Sequence, residues 1–190
     1  LRFDTCTSSP SFEAERVQEI LADIEASIRE DREPTELSGI YVGGIVGLNR
    51  GAAIENCDTL RETAGDKGYV IGKKYVGGIV GFNEGTTGIT GGDRGRNQTQ
   101  VIGMDFVGGI VGCNAVGAWE DDKREARILS RAEANAAAGK PAEDAEDIYI
   151  SNWVNEGAII ACGDYAGGIT GFVKVAGLAG QYHLKVHSHG

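Results

Sequence analysis

Few residues in this chain are of a type that does chemistry, and their spacing limits what each can do. All three histidines, His183, His187 and His189, sit in the last eight residues. A pair four apart suits a metal when both lie on one helix face. The string Tyr182-His183-Leu184-Lys185-Val186-His187 alternates instead like a strand, with no third ligand on a rigid element. A frayed tail, or a strand continuing into missing sequence, is expected there rather than a metal centre. Gly91-Gly92-Asp93-Arg94-Gly95 is one imperfect version of a calcium-binding β-roll unit. Such units need tandem copies to complete a coordination shell, so a plain loop is predicted. Asn97-Gln98-Thr99 matches a glycosylation sequon, which matters only on a eukaryotic secretory route. The acids concentrate at 13–36 and 120–146, where a solvated helix face explains them better than the convergent carboxylates of a glycosidase. With no nucleophile triad, phosphate loop or dinucleotide fingerprint, the expectation is no enzyme, and no catalytic, cofactor-binding or metal-binding residues.

Four segments align without gaps. Tyr41–Gly47 and Tyr75–Gly81 both read YVGGIVG, Phe106–Gly112 reads FVGGIVG, and Tyr165–Gly171 reads YAGGITG. Three continue with any residue and then Asn49, Asn83 or Asn114. Upstream, Val70-Ile71-Gly72 and Val101-Ile102-Gly103 align with Ile160-Ala161-Cys162. The glycine pairs that start at Gly43, Gly77, Gly108 and Gly167 give intervals of 34, 31 and 59 residues. The long interval is one period plus an insert of about 28, visible as the polar, alanine-rich stretch 118–146.

Elements that place these strings follow from their pattern. Short β-branched runs bounded by glycine and asparagine read as strands ended by turns. Alternation puts residue 41, Gly43, Ile45 and Gly47 on one face and Val42, Gly44, Val46 and Leu48 on the other. Glycine serves positive φ at corners and close approach of stacked backbones. One unit of 31 to 34 residues cannot bury its apolar face alone, whereas stacked copies about 4.8 Å apart pair in parallel. Ladders are then predicted along Tyr41, Tyr75, Phe106 and Tyr165, and along Ile45, Ile79, Ile110 and Ile169. The predicted fold is mainly β: a parallel β-solenoid (β-helix) of about four turns with two α-helical insertions. Those inserts fall at about 11–33 and 118–146. In the first, Val17, Ile20, Leu21, Ile24 and Ile28 follow a helical stripe, with Ser9 as N-cap and Pro10 at the first helical position. In the second, Ala126, Ile128, Leu129 and Ala132 form a thinner stripe within 121–138.

Ile54-Glu55-Asn56-Cys57, Phe3-Asp4-Thr5-Cys6 and Ile150-Ser151-Asn152-Trp153 share a second signature, which puts Cys6, Cys57 and Trp153 in one column. Stacked Cys6 and Cys57 allow either a disulfide or a ladder of buried thiols. Cys113 and Cys162 fall in different columns, with Cys162 in place of a glycine. No Cys-x-x-Cys exists, which disfavours zinc and redox motifs.

The strings YVGGIVGLN, YVGGIVGFN and FVGGIVGCN, with the intervening IENC, resemble the GLUG-type repeat of large bacterial surface and secreted proteins. Those include adhesin-like proteins and the non-catalytic region of M26-type immunoglobulin A peptidases. The resemblance covers about 37–117 and 147–172. It implies an extracellular or cell-surface structural and adhesive segment, a stiff spacer and binding scaffold whose partners are a host protein, a glycan or neighbouring domains. The alternative it implies is an accessory, substrate-positioning region of a secreted metallopeptidase; the peptidase motif HExxH has no match here. Residues 1–190 are expected to form one segment of a larger protein, since the chain starts at Leu1 without a signal-peptide pattern. A net charge of -10 and the lack of a Lys/Arg cluster disfavour nucleic acid. No apolar run is long enough for direct membrane insertion.

Overall fold

A computed structural model describes residues 2–61, 67–84, 89–116, 118–119, 126–127, 148–175 and 184–186. These residues are mainly β with one helix, and nearly all their strands pair in parallel. Five parallel sheets each collect one strand from successive repeat units, in chain order. The first takes Arg2–Asp4, Ala53–Glu55, Ile89–Thr90, Ile148–Ser151 and Leu184–Val186. The second takes Thr7–Ser8, Asp58–Thr59, Arg96–Asn97 and Val154–Asn155. Tyr69–Ile71, Gln100–Gly103 and Ile159–Ala161 make the third. The repeated glycine string supplies the fourth (Ile40–Gly43, Lys74–Gly77, Asp105–Gly108, Ala166–Gly167) and the fifth (Val46–Arg50, Val80–Glu84, Val111–Val116, Thr170–Val175).

Each glycine string is therefore two strands, broken at Gly44-Ile45, Gly78-Ile79, Gly109-Ile110 and Gly168-Ile169. That bend defeats the simple two-face alternation: Ile79 and Val80 are neighbours in sequence, yet both are buried in the same core cluster. The isoleucine ladder forms as predicted. Ile45 N–H donates to Ile79 O, Ile79 to Ile110 O and Ile110 to Ile169 O, at 2.9–3.0 Å. The aromatic ladder forms too, with ring centroids 5.3, 4.8 and 4.9 Å apart down the stack from Tyr41 to Tyr165.

Inside the strings the glycines do only one of their two expected jobs, and positive φ falls on Gly39, Gly51, Gly68 and Gly92 outside them. Left-handed backbone in each string belongs to the aromatic: φ is 62° at Tyr41, 51° at Tyr75, 56° at Phe106 and 64° at Tyr165. A Cβ there carries a steric cost, opposed by ring stacking with the units above and below. Gly81 instead marks a close approach, because a Cβ on it would lie 2.6 Å from both Gly47 O and Val42 N of the preceding unit.

Asn49, Asn83 and Asn114 form a buried polar ladder inside the fifth-sheet corner. Asn49 Nδ2 donates to Asn83 Oδ1, and Asn83 Nδ2 to Asn114 Oδ1, each at 2.6 Å. The fourth unit has Val173 at this level, in register with Asn114. Asn114 Nδ2 is consequently buried with no hydrogen-bond partner among the described residues.

The fourth unit corrects the sequence alignment by one residue. Val101 pairs with Ile159, Ile102 with Ile160 and Gly103 with Ala161. Ala161, not Cys162, thus takes the glycine level. Three residues separate Ala161 from Tyr165, against two between Gly103 and Phe106. The bend at Cys162–Asp164 absorbs the surplus, and Phe106 N–H still reaches Asp164 O at 2.9 Å.

The helix spans Ala14–Glu30 and lies on the outer face of the third sheet. Val17, Ile20 and Ile24 pack there with Ile71, Ile102 and Ile160, one from each strand. It starts later than the Ser9-Pro10 signal suggests, with Glu13 as N-cap. Ser8 O and Pro10 O accept hydrogen bonds from Leu60 and Tyr69 of the next unit, which holds this segment extended. Ile28, predicted to face the core, is 64% exposed. Its side chain borders an open cleft beside Met104 and Cys162 instead of entering the cluster. In the second insert, Ala126–Arg127 pairs antiparallel with Ala118–Trp119. A strand pair therefore replaces the predicted helix at Ala126, because its backbone is satisfied across the pair with Ala118–Trp119. The remainder of that helical expectation, Ile128, Leu129 and Ala132 included, lies outside the described residues.

Candidate functional site

Two surface features stand apart from the repeats, and both arise where a unit carries extra residues. The first is the strap 31–39 that returns from the helix to the fourth sheet. Asp31 ends the helix in a left-handed conformation, and Arg32 N–H closes back on Ser27 O at 3.0 Å. Asp23, about two turns inside the helix, then clamps the strap. Its Oδ2 accepts from Thr35 N at 2.6 Å and Glu36 N at 2.9 Å, and its Oδ1 meets the Arg32 guanidinium at 3.0 Å. The Glu36 amide first, then Arg32 and the Thr35 amide, hold the Asp23 carboxyl below its ordinary range. Lys73 of the next unit pairs with Glu33 at 2.7 Å, raising the Lys73 pKa and lowering that of Glu33. Between strap and sheet lies an open cleft of about 410 Å³, with Ile28, Pro34, Met104 and Cys162 offering apolar surface beside Arg32 and Glu33. Such a cleft can hold a side chain or short peptide.

The second feature is the corner 91–95 in the third unit. Where the second and fourth units use two residues between first and second sheets, this unit uses five. The expected loop is present as a tight turn: Arg94 and Gly95 N–H both donate to Gly91 O. Arg94 reaches the buried Asp58 carboxylate at 3.3 Å. A small hollow of about 180 Å³ opens beside it, lined by Arg94, Arg96, Asn152, Val154 and Glu156 among others. It offers mixed charge rather than a ring of oxygen ligands, and no group of three or more His, Cys, Asp or Glu able to hold a metal occurs among the described residues.

Other candidates resolve individually. Asn97 of the sequon is buried, and its amide is spent on Thr99 O and Asn155 Oδ1, so it is closed to a glycosylating enzyme. Leu184–Val186 pairs in parallel with Ile148–Ile150, so the tail does continue the strand pattern into a fifth unit. His183, His187 and His189 lie outside the described residues. Cys6, Cys57 and Trp153 pack on one core cluster, as their shared column predicts. The extra residues of the 91–95 corner replace that column in the third unit, and Trp153 Nε1 donates to Ile89 O there at 3.4 Å. All four cysteines are free thiols. Sequence reasoning missed the Asp23 clamp, since its partners are 9 to 13 residues away and face it only after the helix has ended.

The aromatic ladder is no glycan platform along its length, because stacked rings spend their faces on one another and present edges to solvent. Only the end rings, Tyr41 at 40% and Tyr165 at 52% exposure, keep an outer face open. Among the described residues, no helix is long and apolar enough to cross a membrane. Compared with family models, curated proteins and solved structures, the chain gives no match to any of the three.

Proposed function

We propose that this chain is a non-catalytic structural and adhesive repeat segment of a bacterial cell-surface or secreted protein, wound as a parallel β-solenoid of GLUG-type units. One observation carries the reading. Corresponding strands of successive units pair in parallel at the repeat offset in all five sheets, as in Val42–Val76–Val107–Ala166. A chain that advances one unit per strand spacing grows along a single axis. It thereby makes a stiff spacer, with its insertions displayed on the flanks. The strap cleft and the 91–95 corner are the surfaces that differ from unit to unit, so recognition of a host protein or glycan is assigned to them rather than to the ladders.

Small-angle scattering on the full chain tests the architecture: an elongated particle is expected, and a compact globule overturns it. A binding screen against glycans and host surface proteins, run with the full chain and with 118–146 deleted, tests the adhesive role. Retained binding by the deletion variant, lost on replacing Arg32 and Glu33, would place recognition at the strap.

A further inference from the structure

We infer that Cys6 and Cys57 are a latent cross-unit disulfide, closed by thiol–disulfide exchange to staple the first unit to the second. Their register is fixed from both sides. Phe3 pairs with Ile54 and Asp4 with Glu55, while Thr7 pairs with Asp58 and Ser8 with Thr59. Cys6 and Cys57 sit between these pairs at the same offset, and Asp58 N–H donates to Cys6 O at 2.8 Å. Neighbouring parallel strands hold such positions about 4.8 Å apart at Cα, inside the span a disulfide bridges.

Side-chain directions match as well. Each sulfur turns back toward the carbonyl two residues earlier, Cys6 Sγ to Asp4 O at 3.9 Å and Cys57 Sγ to Glu55 O at 3.2 Å. Cys57 Sγ also lies 3.9 Å from Phe3 O, which puts it against the backbone of the first unit. Both side chains enter the same core cluster. Cys113 belongs to another cluster and Cys162 to the helix-covered face, so neither competes for either thiol.

Access sets the order of events. Cys57 is fully buried, and burial, with the Cys6 thiol beside it, pushes its pKa up to about 11. It therefore attacks little on its own. Half-buried Cys6 is the thiol that meets a small disulfide such as oxidised glutathione. Its thiolate attacks one glutathione sulfur, forms a mixed disulfide and expels glutathione thiolate. Cys57 then gives up its proton and attacks Cys6 Sγ, expelling the second glutathione. The protein loses two hydrogens and two electrons, and one glutathione disulfide becomes two glutathione thiols. The bond closes the long loop that carries the helix, and long loops are where a cross-link restricts the unfolded chain most.

The test uses the full chain, incubated natively with oxidised glutathione, and compares it with C6S and C57S. Intact mass should fall by about 2 Da, peptide mapping should show Cys6 linked to Cys57, and dithiothreitol should reverse both. The thermal midpoint of the oxidised chain should rise by roughly 5–15 °C, a gain absent in either variant. C6S should take no glutathione on Cys57, whereas C57S should stop at a stable mixed disulfide on Cys6. Wild type that also stops there, with circular dichroism unchanged, overturns the inference, and so does a linkage of either residue to Cys113 or Cys162.

Discussion

Replacing rungs of the asparagine ladder by leucine measures whether a rung's cost depends on its place in the stack. Asn83 is 2% exposed and serves two neighbours, accepting from Asn49 and donating to Asn114, each at 2.6 Å. Asn83→Leu leaves one Asn49 N–H and the Asn114 oxygen without their ladder partners. At about 1–3 kcal/mol per orphaned buried group, less about 1 kcal/mol for added apolar burial, the cost is about 1–5 kcal/mol. Asn114→Leu also takes the Asn83 Nδ2 acceptor away, but it removes a donor that was already unpartnered. Its cost should be about 1 kcal/mol or less. In the double variant only Asn49 loses a ladder partner, so adding Asn114→Leu to Asn83→Leu should recover stability. Urea unfolding of the four chains, with equal slopes, gives the cycle directly. Equal costs for the two single variants, or simple additivity in the double, would refute the reasoning that the missing rung at Val173 has left Asn114 half satisfied. Leucine's extra volume burdens both sites alike and does not change the ordering.

Three further outcomes follow from single positions. Gly81→Ala should destabilise by about 3 kcal/mol in the same urea assay, because the new Cβ is driven into the backbone of the preceding unit. Tyr75→Gly should be more stable than Tyr75→Ala by about 1 kcal/mol, the reverse of the usual order in a strand, since residue 75 holds φ at 51°. Both variants lose the stacks with Tyr41 and Phe106, so chemical denaturation of the pair isolates the backbone. The Asp23 clamp sets a pH dependence: its carboxyl is depressed in the folded chain, so its stabilisation is present above the unfolded value of about 3.9 and lost as pH falls through the lower folded value. Thermal midpoints of wild type and Asp23→Asn should accordingly differ at neutral pH and converge in acid; a gap that does not shrink as pH falls below the unfolded value would contradict the clamp.

Much of this fold was legible because its repeats are close copies. Four aligned strings fix which residues share a level, and both predicted ladders, Tyr41 to Tyr165 and Ile45 to Ile169, follow from that alone. Helical periodicity likewise located Val17, Ile20 and Ile24 against the sheet. What failed was anything decided between units rather than within one. Ser9-Pro10 carries a sound helix-start signal, yet carbonyls at 8 and 10 are claimed by the next unit. The one-residue surplus at Cys162–Asp164 is hidden from gap-free matching, since counting back from Tyr165 puts Ile160-Ala161-Cys162 on Val101-Ile102-Gly103, and the better match Ile159-Ile160-Ala161 appears only once one extra residue is admitted.

The string itself teaches the sharpest lesson about glycine in stacked units. Sequence logic gives positive φ to glycine, because glycine bears it without cost. In this protein the aromatic takes that conformation in every unit, and the two adjoining glycines keep negative or extended backbone. The reason lies in what each position must leave empty. At the Gly78 level a side chain would strike the Gly109 carbonyl of the next unit, so only a hydrogen is admitted there. At the Tyr75 level the left-handed turn throws the side chain outward, where stacking rewards a ring and the close backbone approach is undisturbed. Glycine in these strings is thus set by distance between units, and the corner by the residue with most to gain from its neighbours. Function follows the same division. Ladder positions repeat in the units on either side, whereas the strap at 31–39 and the corner at 91–95 occur in one unit each, held to neighbouring units by Glu33–Lys73 and Arg94–Asp58, and those are the places a partner's chemistry can be accommodated.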